Sequence, residues 1–230
     1  MSHSYEIEIK SLLGSKENAD RLISGIKAKD SNLTEVGSHK QLNHYFIGGN
    51  LKNLFEQVEN HLPQDKKTSL QDLAEKAKDF SVRTRWADGK VILVVKASVD
   101  DTTSSNGTAR LEWETQFKDI SFETLDELVL KSGFEYQAKW SRERQEYIYH
   151  PNGREVAVSI DKNAGYGYLS EFEVVVNDES KAEEVKSFIR ETMQDLELEE
   201  LPQDRLARMF DFYNKNWKDY YGTEKIFNIE

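Results

Sequence analysis

The sequence predicts an α+β fold in which an eight-stranded antiparallel β-barrel carries helices on its outside. The first observation is a succession of short segments with strand character, spaced as in a meander or barrel. The second is turn chemistry: Asp88-Gly89 and Asn152-Gly153 are two-residue hairpin signals. The strands are predicted at about 5–12, 32–47, 80–87, 90–98, 108–118, 134–149, 154–161 and 168–177.

Helical periodicity separates some of these strands. Ser15 follows Gly14 and is placed to cap a helix whose apolar residues recur at helical spacing. Apolar residues also recur at helical spacing in residues 50–79, in two segments with Pro63 between them. This pattern predicts a helical hairpin inserted between strands. Further helices are predicted at about 122–130, 181–196 and 203–221. At 230 residues the chain suits a single domain spanning 1–230.

Composition narrows the function classes. The net charge of -11 makes the average surface repel nucleic acid and anionic membranes, so we expect neither as a partner. With no cysteine, the chain has neither disulfides nor a thiolate metal site, which agrees with a cytoplasmic location. No apolar stretch has the length of a signal peptide or of a membrane span, so we expect neither secretion nor membrane insertion.

Several predicted strands carry charged residues on one face and apolar residues on the other. In the first strand Glu6, Glu8 and Lys10 alternate with apolar neighbours. A solvated face is the ordinary explanation for one such strand, but here like charges stand side by side, which favours a bound counter-ion. The cations on this face are Lys10, Arg83, Arg85, Lys96, Arg110, Arg142 and Arg144. The anions on it are Glu6, Glu8, Glu112, Glu114, Asp161, Glu171 and Glu173.

The two sets of charges suit complementary parts of one ligand. The planar fork of arginine binds two phosphate oxygens at once, and lysine adds a compact positive charge. Carboxylates on rigid strands suit hard cations such as Mg²⁺ or Mn²⁺, which also bind phosphate oxygens. The pattern therefore predicts a polyphosphate and divalent metal ions bound on the inward face of the barrel.

The charged strands resemble a known family in their order along the chain. Glu6–Lys10, which reads EIEIK, resembles the ExExK signature of the CYTH superfamily, the triphosphate tunnel metalloenzymes. That superfamily includes class IV adenylate cyclases, thiamine triphosphatases and inorganic triphosphatases. The later segments that resemble family motifs are Val82–Arg85, Val94–Lys96, Arg110–Glu114, Arg142–Tyr147, Ile160–Asp161, Gly165–Gly167 and Glu171–Glu173.

The resemblance implies a role for each charged position. The implied metal ligands are Glu6, Glu8, Asp161, Glu171 and Glu173. The implied triphosphate-binding residues are Lys10, Arg83, Arg85, Lys96, Arg110, Arg142, Arg144 and, on the C-terminal helix, Arg208. The implied catalytic residues are Glu112, Glu114 and Lys96. Two departures stand out: Arg142 replaces the usual lysine, and Ile47 follows Phe46 where the family has aspartate.

Three functions remain open from the sequence. The favoured one is metal-dependent hydrolysis of tripolyphosphate, ATP or another nucleoside triphosphate, or thiamine triphosphate, with Mg²⁺ or Mn²⁺ as cofactor. The second is the class IV adenylate cyclase reaction, which converts ATP to cyclic AMP and pyrophosphate. The third is a polyphosphate or nucleotide sensor without catalysis. Homodimer formation through the aromatic C-terminal segment also stays open.

Overall fold

The computed structural model describes residues 5–98 and 111–230, so Arg110 and the whole of the predicted 100–107 loop lie outside the described residues. The strands are β1 (Tyr5–Gly14), β2 (Thr34–Gly48), β3 (Asp79–Ala87), β4 (Lys90–Ser98), β5 (Leu111–Phe117), β6 (Phe134–Tyr149), β7 (Val156–Asn163) and β8 (Gly167–Val176). The helices are α1 (Lys16–Lys29), α2 (Leu51–Val58), α3 (Gln64–Lys76), α4 (Phe122–Lys131), α5 (Ala182–Asp195) and α6 (Gln203–Tyr220).

The eight strands belong to one antiparallel sheet, with the order β1-β8-β7-β6-β2-β3-β4-β5. The predicted α+β class, the number of strands and the helical insertion are thereby confirmed. The order begins with β1 and ends with β5, so the hydrogen-bonded ladder of the described strands is not closed into a ring. None of the described helices is long and apolar enough to cross a membrane.

The chain divides into two compact units, and β2 and β6 contribute residues to both. The terminal unit consists of Met1–Lys40 and Ser141–Glu230, and the central unit is Gln41–Trp140. The proposed single domain of 1–230 stays a prediction.

In the terminal unit, α1 and α5 cover the apolar face of the sheet. Ser15 caps α1 as predicted, because its side chain accepts a hydrogen bond from the backbone N–H of Asn18. The helical spacing then buries Leu22 and Ile26 in a core that includes Phe172. Burial of these side chains removes apolar surface from water and holds the helices against the sheet.

In the central unit, α2, α3 and α4 cover the apolar face of β3, β4 and β5. Leu54 of α2 and Leu70 of α3 are completely buried in this core. Trp113 of β5 joins the same core and donates its indole N–H to the hydroxyl of Ser69, 2.9 Å away. The inserted hairpin therefore supplies part of the core of the central unit.

In most of the described strands the apolar parity is the buried one, as the alternation predicts, but the parity of β6 changes along its length. Phe134 and Ala138, both even-numbered, are buried in the central unit, whereas Tyr147 and Tyr149 are buried in the terminal unit. The even-numbered Arg142 and Arg144 are therefore on the face of β6 opposite to that core. A single alternation pattern does not extend over the whole of β6.

Candidate functional site

Strands β1 and β8 pair charged side chains in register, with like charges in one pair and opposite charges in another. Glu8 pairs with Glu173, and Lys10 pairs with Glu171. Paired residues project to the same face of an antiparallel ladder, so these four side chains share one surface of the terminal unit. Their apolar neighbours Ile9 and Phe172 lie in the core on the other face.

Three of these side chains form a group with the geometry of a metal site. One carboxylate oxygen each from Glu8, Glu171 and Glu173 lies within 4.8 Å of the other two. Such a set of hard, anionic oxygen donors fits Mg²⁺ or Mn²⁺, which prefer carboxylate ligands. The residues fit the cofactor that the sequence predicts, and we refer to them as the carboxylate group.

Lys10 and Arg144 offset part of the negative charge of the carboxylate group. The ammonium of Lys10 lies 2.5 Å from Glu8 Oε1 and 3.1 Å from Glu171 Oε1. Arg144 Nη2 lies 2.8 Å from Glu171 Oε2, and the same guanidinium donates from Nε and Nη2 to the two oxygens of Asp161, both at 2.7 Å. This bidentate contact is the strongest hydrogen-bonding arrangement between an arginine and a carboxylate.

The two adjacent glutamates differ in their affinity for a proton. The hydrogen bond that Glu8 shares with Glu171, together with partial burial, raises the pKa of Glu8. Burial opposes ionisation of Glu171 as well, but the hydrogen bonds from Glu8 and Lys10 and the charge of Arg144 outweigh it and lower the pKa of Glu171 to about 2. Glu171 is therefore the firmly ionised member of the pair.

Asp161 is held by arginines in this structure. Its side chain is 9% exposed, and Arg142 Nη1 lies 3.8 Å from Asp161 Oδ2 in addition to the Arg144 contact. Arg144 bonds both Asp161 and Glu171, so it links the two carboxylates. Asp161 itself is not a member of the carboxylate group. The side chain of Glu6 lies outside the described residues, and Glu6 pairs with Val175 along β1.

The central unit carries its own pair of arginines. Arg83 Nη1 donates to the hydroxyl of Tyr45 at 3.2 Å, and its guanidinium lies 5.7 Å from the centre of the Tyr45 ring. Arg85 Nε donates to Asn43 Oδ1 at 3.0 Å. Asn43 and Tyr45 were not predicted as site residues, although their alternation in β2 matches that of the arginines in β3. This alternation is the signal by which they could have been found.

The remaining predicted residues have different environments. Lys96 is partly buried, and its backbone pairs with Glu112 across β4 and β5; the side chain of Glu112 lies outside the described residues. Glu114 is exposed, and its carbonyl accepts a hydrogen bond from Lys66 at 2.8 Å. Arg208 of α6 contacts Asp204 at 2.7 Å and the carbonyl of Glu230 at 3.1 Å. These two contacts do not bring Arg208 to the carboxylate group.

Solved structures that are similar to this chain share little of its sequence. A structure from Vibrio parahaemolyticus, described as that of a candidate adenylate cyclase, matches with a TM-score of 0.51 and 13% identity over 90% of this chain and 98% of its own. This similarity supports the fold alone. The PH1012 protein from Pyrococcus horikoshii matches with a TM-score of 0.48 and 20% identity, over 85% of this chain and 92% of its own.

A third structure is that of HpAC1 from Hippeastrum, described as a candidate adenylyl cyclase with a dominant triphosphatase activity. It matches with a TM-score of 0.45 and 17% identity over 90% of this chain and 96% of its own. No curated protein shows a significant sequence match. The model of the CYTH domain matches residues 4–206, which include every predicted site residue except Arg208. The chain therefore belongs to the CYTH domain family.

Proposed function

We propose that the protein is a metal-dependent triphosphatase that hydrolyses tripolyphosphate or a nucleoside triphosphate in the cytoplasm. The observation that carries this proposal is the carboxylate group of Glu8, Glu171 and Glu173 with Lys10 and Arg144 against it. Donors for a divalent cation and donors for phosphate oxygens are thus adjacent on one surface. Phosphoryl transfer needs both, because positioning and charge stabilisation supply most of its catalysis.

In this proposal Glu8, Glu171 and Glu173 hold Mg²⁺ or Mn²⁺, and Asp161 and Glu6 are further ligands. When bound, the cation offsets the negative charge of the phosphate oxygens. Lys10 and Arg144 leave part of their contacts with the carboxylates and bind phosphate oxygens. The further triphosphate-binding residues that we propose are Arg83, Arg85, Lys96, Arg110 and Arg142.

The proposed reaction is attack of water on the terminal phosphorus. A bond forms between the water oxygen and this phosphorus, and the bond to the bridging oxygen breaks with its electron pair remaining on the leaving diphosphate. We assign the water proton to Glu112 or Glu114 and contact with the phosphate oxygens to Lys96. The arginines keep the attacking and leaving oxygens in line by holding the phosphate oxygens.

A phosphate-release assay tests the proposal and its metal requirement. With tripolyphosphate and excess Mg²⁺ or Mn²⁺, we expect orthophosphate and pyrophosphate to appear in equal amounts. Addition of a chelator in excess should reduce the rate to the uncatalysed background, and restoring the metal should recover it, because the carboxylate group needs its cation. Tight binding of tripolyphosphate without release of phosphate would favour a sensor and contradict the proposal.

A further inference from the structure

The central unit contains a buried polar cluster that has no part in the proposed chemistry. Asp126 of α4 is only 5% exposed and accepts three hydrogen bonds from three strands. His44 Nδ1 of β2 lies 2.6 Å from Asp126 Oδ2, Thr84 Oγ1 of β3 lies 2.5 Å from Oδ1, and the Tyr136 hydroxyl of β6 lies 2.7 Å from Oδ2. We call these four residues the Asp126 cluster.

The cluster keeps Asp126 ionised in the interior of the protein. Burial opposes the negative charge, but the hydrogen bonds from His44, Thr84 and Tyr136 outweigh it and lower the pKa of Asp126. A carboxylate can only accept hydrogen bonds, so the proton between it and the imidazole belongs to His44 Nδ1. A buried ionic cluster is weak evidence for stability, since apolar side chains of similar volume often serve as well. Its directional bonds, however, fix the relative position of the strands that carry them.

The Asp126 cluster bonds to one pair of facing residues, or rung, in the ladder between β2 and β3. This rung lies between the two arginines of the central unit. His44 pairs directly with Thr84 across β2 and β3, and the rungs on either side are Tyr45 with Arg83 and Asn43 with Arg85. His44 and Thr84 face α4 and are buried, whereas successive residues project to the opposite face.

The contacts across the two neighbouring rungs depend on the same strand separation. Arg83 donates to Tyr45 at 3.2 Å and Arg85 donates to Asn43 at 3.0 Å. A hydrogen bond to a side chain of β2 therefore holds each of these two guanidinium groups of β3 in position. A change in the spacing or twist of β2 against β3 would lengthen both contacts together. The Asp126 cluster bonds to both strands at the rung between them.

We propose that Asp126 is a positioning residue which, through His44 and Thr84, holds Arg83 and Arg85 in a fixed pair for the phosphates of a linear polyanion. The inference rests on the proposed function for its ligand, and on the geometry of the Asp126 cluster for its mechanism. Pre-organisation of the two guanidinium groups lowers the entropy lost when they bind. Loosening the cluster therefore weakens polyanion binding without removing any group that contacts the polyanion.

The first test compares Asp126→Asn with Asp119→Asn. Asp119 is the matched control because it also bonds a histidine in the central unit, with His61 Nδ1 at 2.6 Å, but its side chain is 56% exposed. Calorimetric titration with tripolyphosphate in the presence of chelator should show affinity weaker by about five- to tenfold for Asp126→Asn. Asp119→Asn should bind as the unmodified protein does.

A second pair of variants keeps the test informative if Asp126→Asn does not fold. Thr84→Val has the same shape as threonine but lacks the hydroxyl, whereas Thr84→Ser retains it. We expect Thr84→Val to weaken tripolyphosphate binding and Thr84→Ser to restore it. Folded Asp126→Asn and Thr84→Val proteins that bind tripolyphosphate as tightly as the unmodified protein would overturn the inference.

The Nε–Hε resonances of Arg83 and Arg85, recorded by nuclear magnetic resonance without ligand, separate this inference from the proposed function. We expect both resonances to shift or broaden in Asp126→Asn and in Thr84→Val, and to stay in place in Asp119→Asn. If the unmodified protein does not bind tripolyphosphate, the proposed function fails, while displaced arginine resonances still support the positioning role. Unchanged resonances in both cluster variants contradict that role.

Discussion

Replacing Glu171 with glutamine is expected to lower metal-dependent turnover of tripolyphosphate by about 100-fold or more. Glu171 is the firmly ionised member of the carboxylate group and the residue that both Lys10 and Arg144 contact. Glutamine has nearly the same shape, so the fold should persist, but it removes the negative charge that a divalent cation requires. Initial rates at saturating metal, with circular dichroism as the check on folding, measure the effect.

Glu143→Gln is the matched control for this variant. Glu143 follows Arg142 in β6, has the opposite parity and pairs with Lys40 at 3.2 Å as an exposed ion pair. Exposed pairs of this kind contribute little, so turnover and stability should stay close to those of the unmodified protein. Normal turnover in Glu171→Gln would contradict the assignment of the metal to the carboxylate group.

Replacing Gly167 with alanine is expected to lower the free energy of unfolding by about 3 kcal/mol or more. Gly167 begins β8 with a φ of +73°, and a Cβ atom built there would lie 2.2 Å from the carbonyl oxygen of Gly14. The left-handed conformation alone costs about 1 kcal/mol for alanine, and the overlap with a backbone atom forces β8 away from β1. Urea unfolding followed by tryptophan fluorescence measures the change.

Gly153→Ala separates the two contributions. Gly153 also has a positive φ, +78°, but no atom of the described residues lies within 4 Å of the position that a Cβ atom would take there. This variant should lose only about 1 kcal/mol, the cost of the conformation. Equal losses for Gly153→Ala and Gly167→Ala would mean that the close approach of β1 and β8 at Gly14 is unimportant. Because that approach supports the pairing of Lys10 with Glu171, Gly167→Ala should also reduce turnover.

The strands and helices were predictable because local chemistry agrees with the fold along most of the chain. Ser15 caps α1, the Asp88-Gly89 turn joins β3 to β4, and the helical period of residues 51–76 marks the insertion. The shared face of Glu8 and Lys10 within β1, and that of Glu171 and Glu173 within β8, also follow from alternation alone. These features depend on residues close in sequence, so the sequence is sufficient to predict them.

Other features depend on elements that meet only in the folded chain. The parity of β6 changes between Ala138 and Tyr147, and an unbroken pattern of alternation cannot locate such an irregularity. The cluster at Asp126 needs α4 to lie over His44, which is 82 residues away in sequence. Nothing in the residues around His44 indicates a buried carboxylate. The engagement of Asp161 by Arg144 is likewise a tertiary contact that residue spacing does not predict.

Hydrolysis of ATP in water labelled with ¹⁸O tests the central claim most directly. If the carboxylate group and the arginines direct water to the terminal phosphorus, the products are ADP and orthophosphate, with one labelled oxygen in the orthophosphate. Label in ADP would place the attack on a different phosphorus. Cyclic AMP and unlabelled pyrophosphate would identify the cyclase reaction and contradict the proposed function.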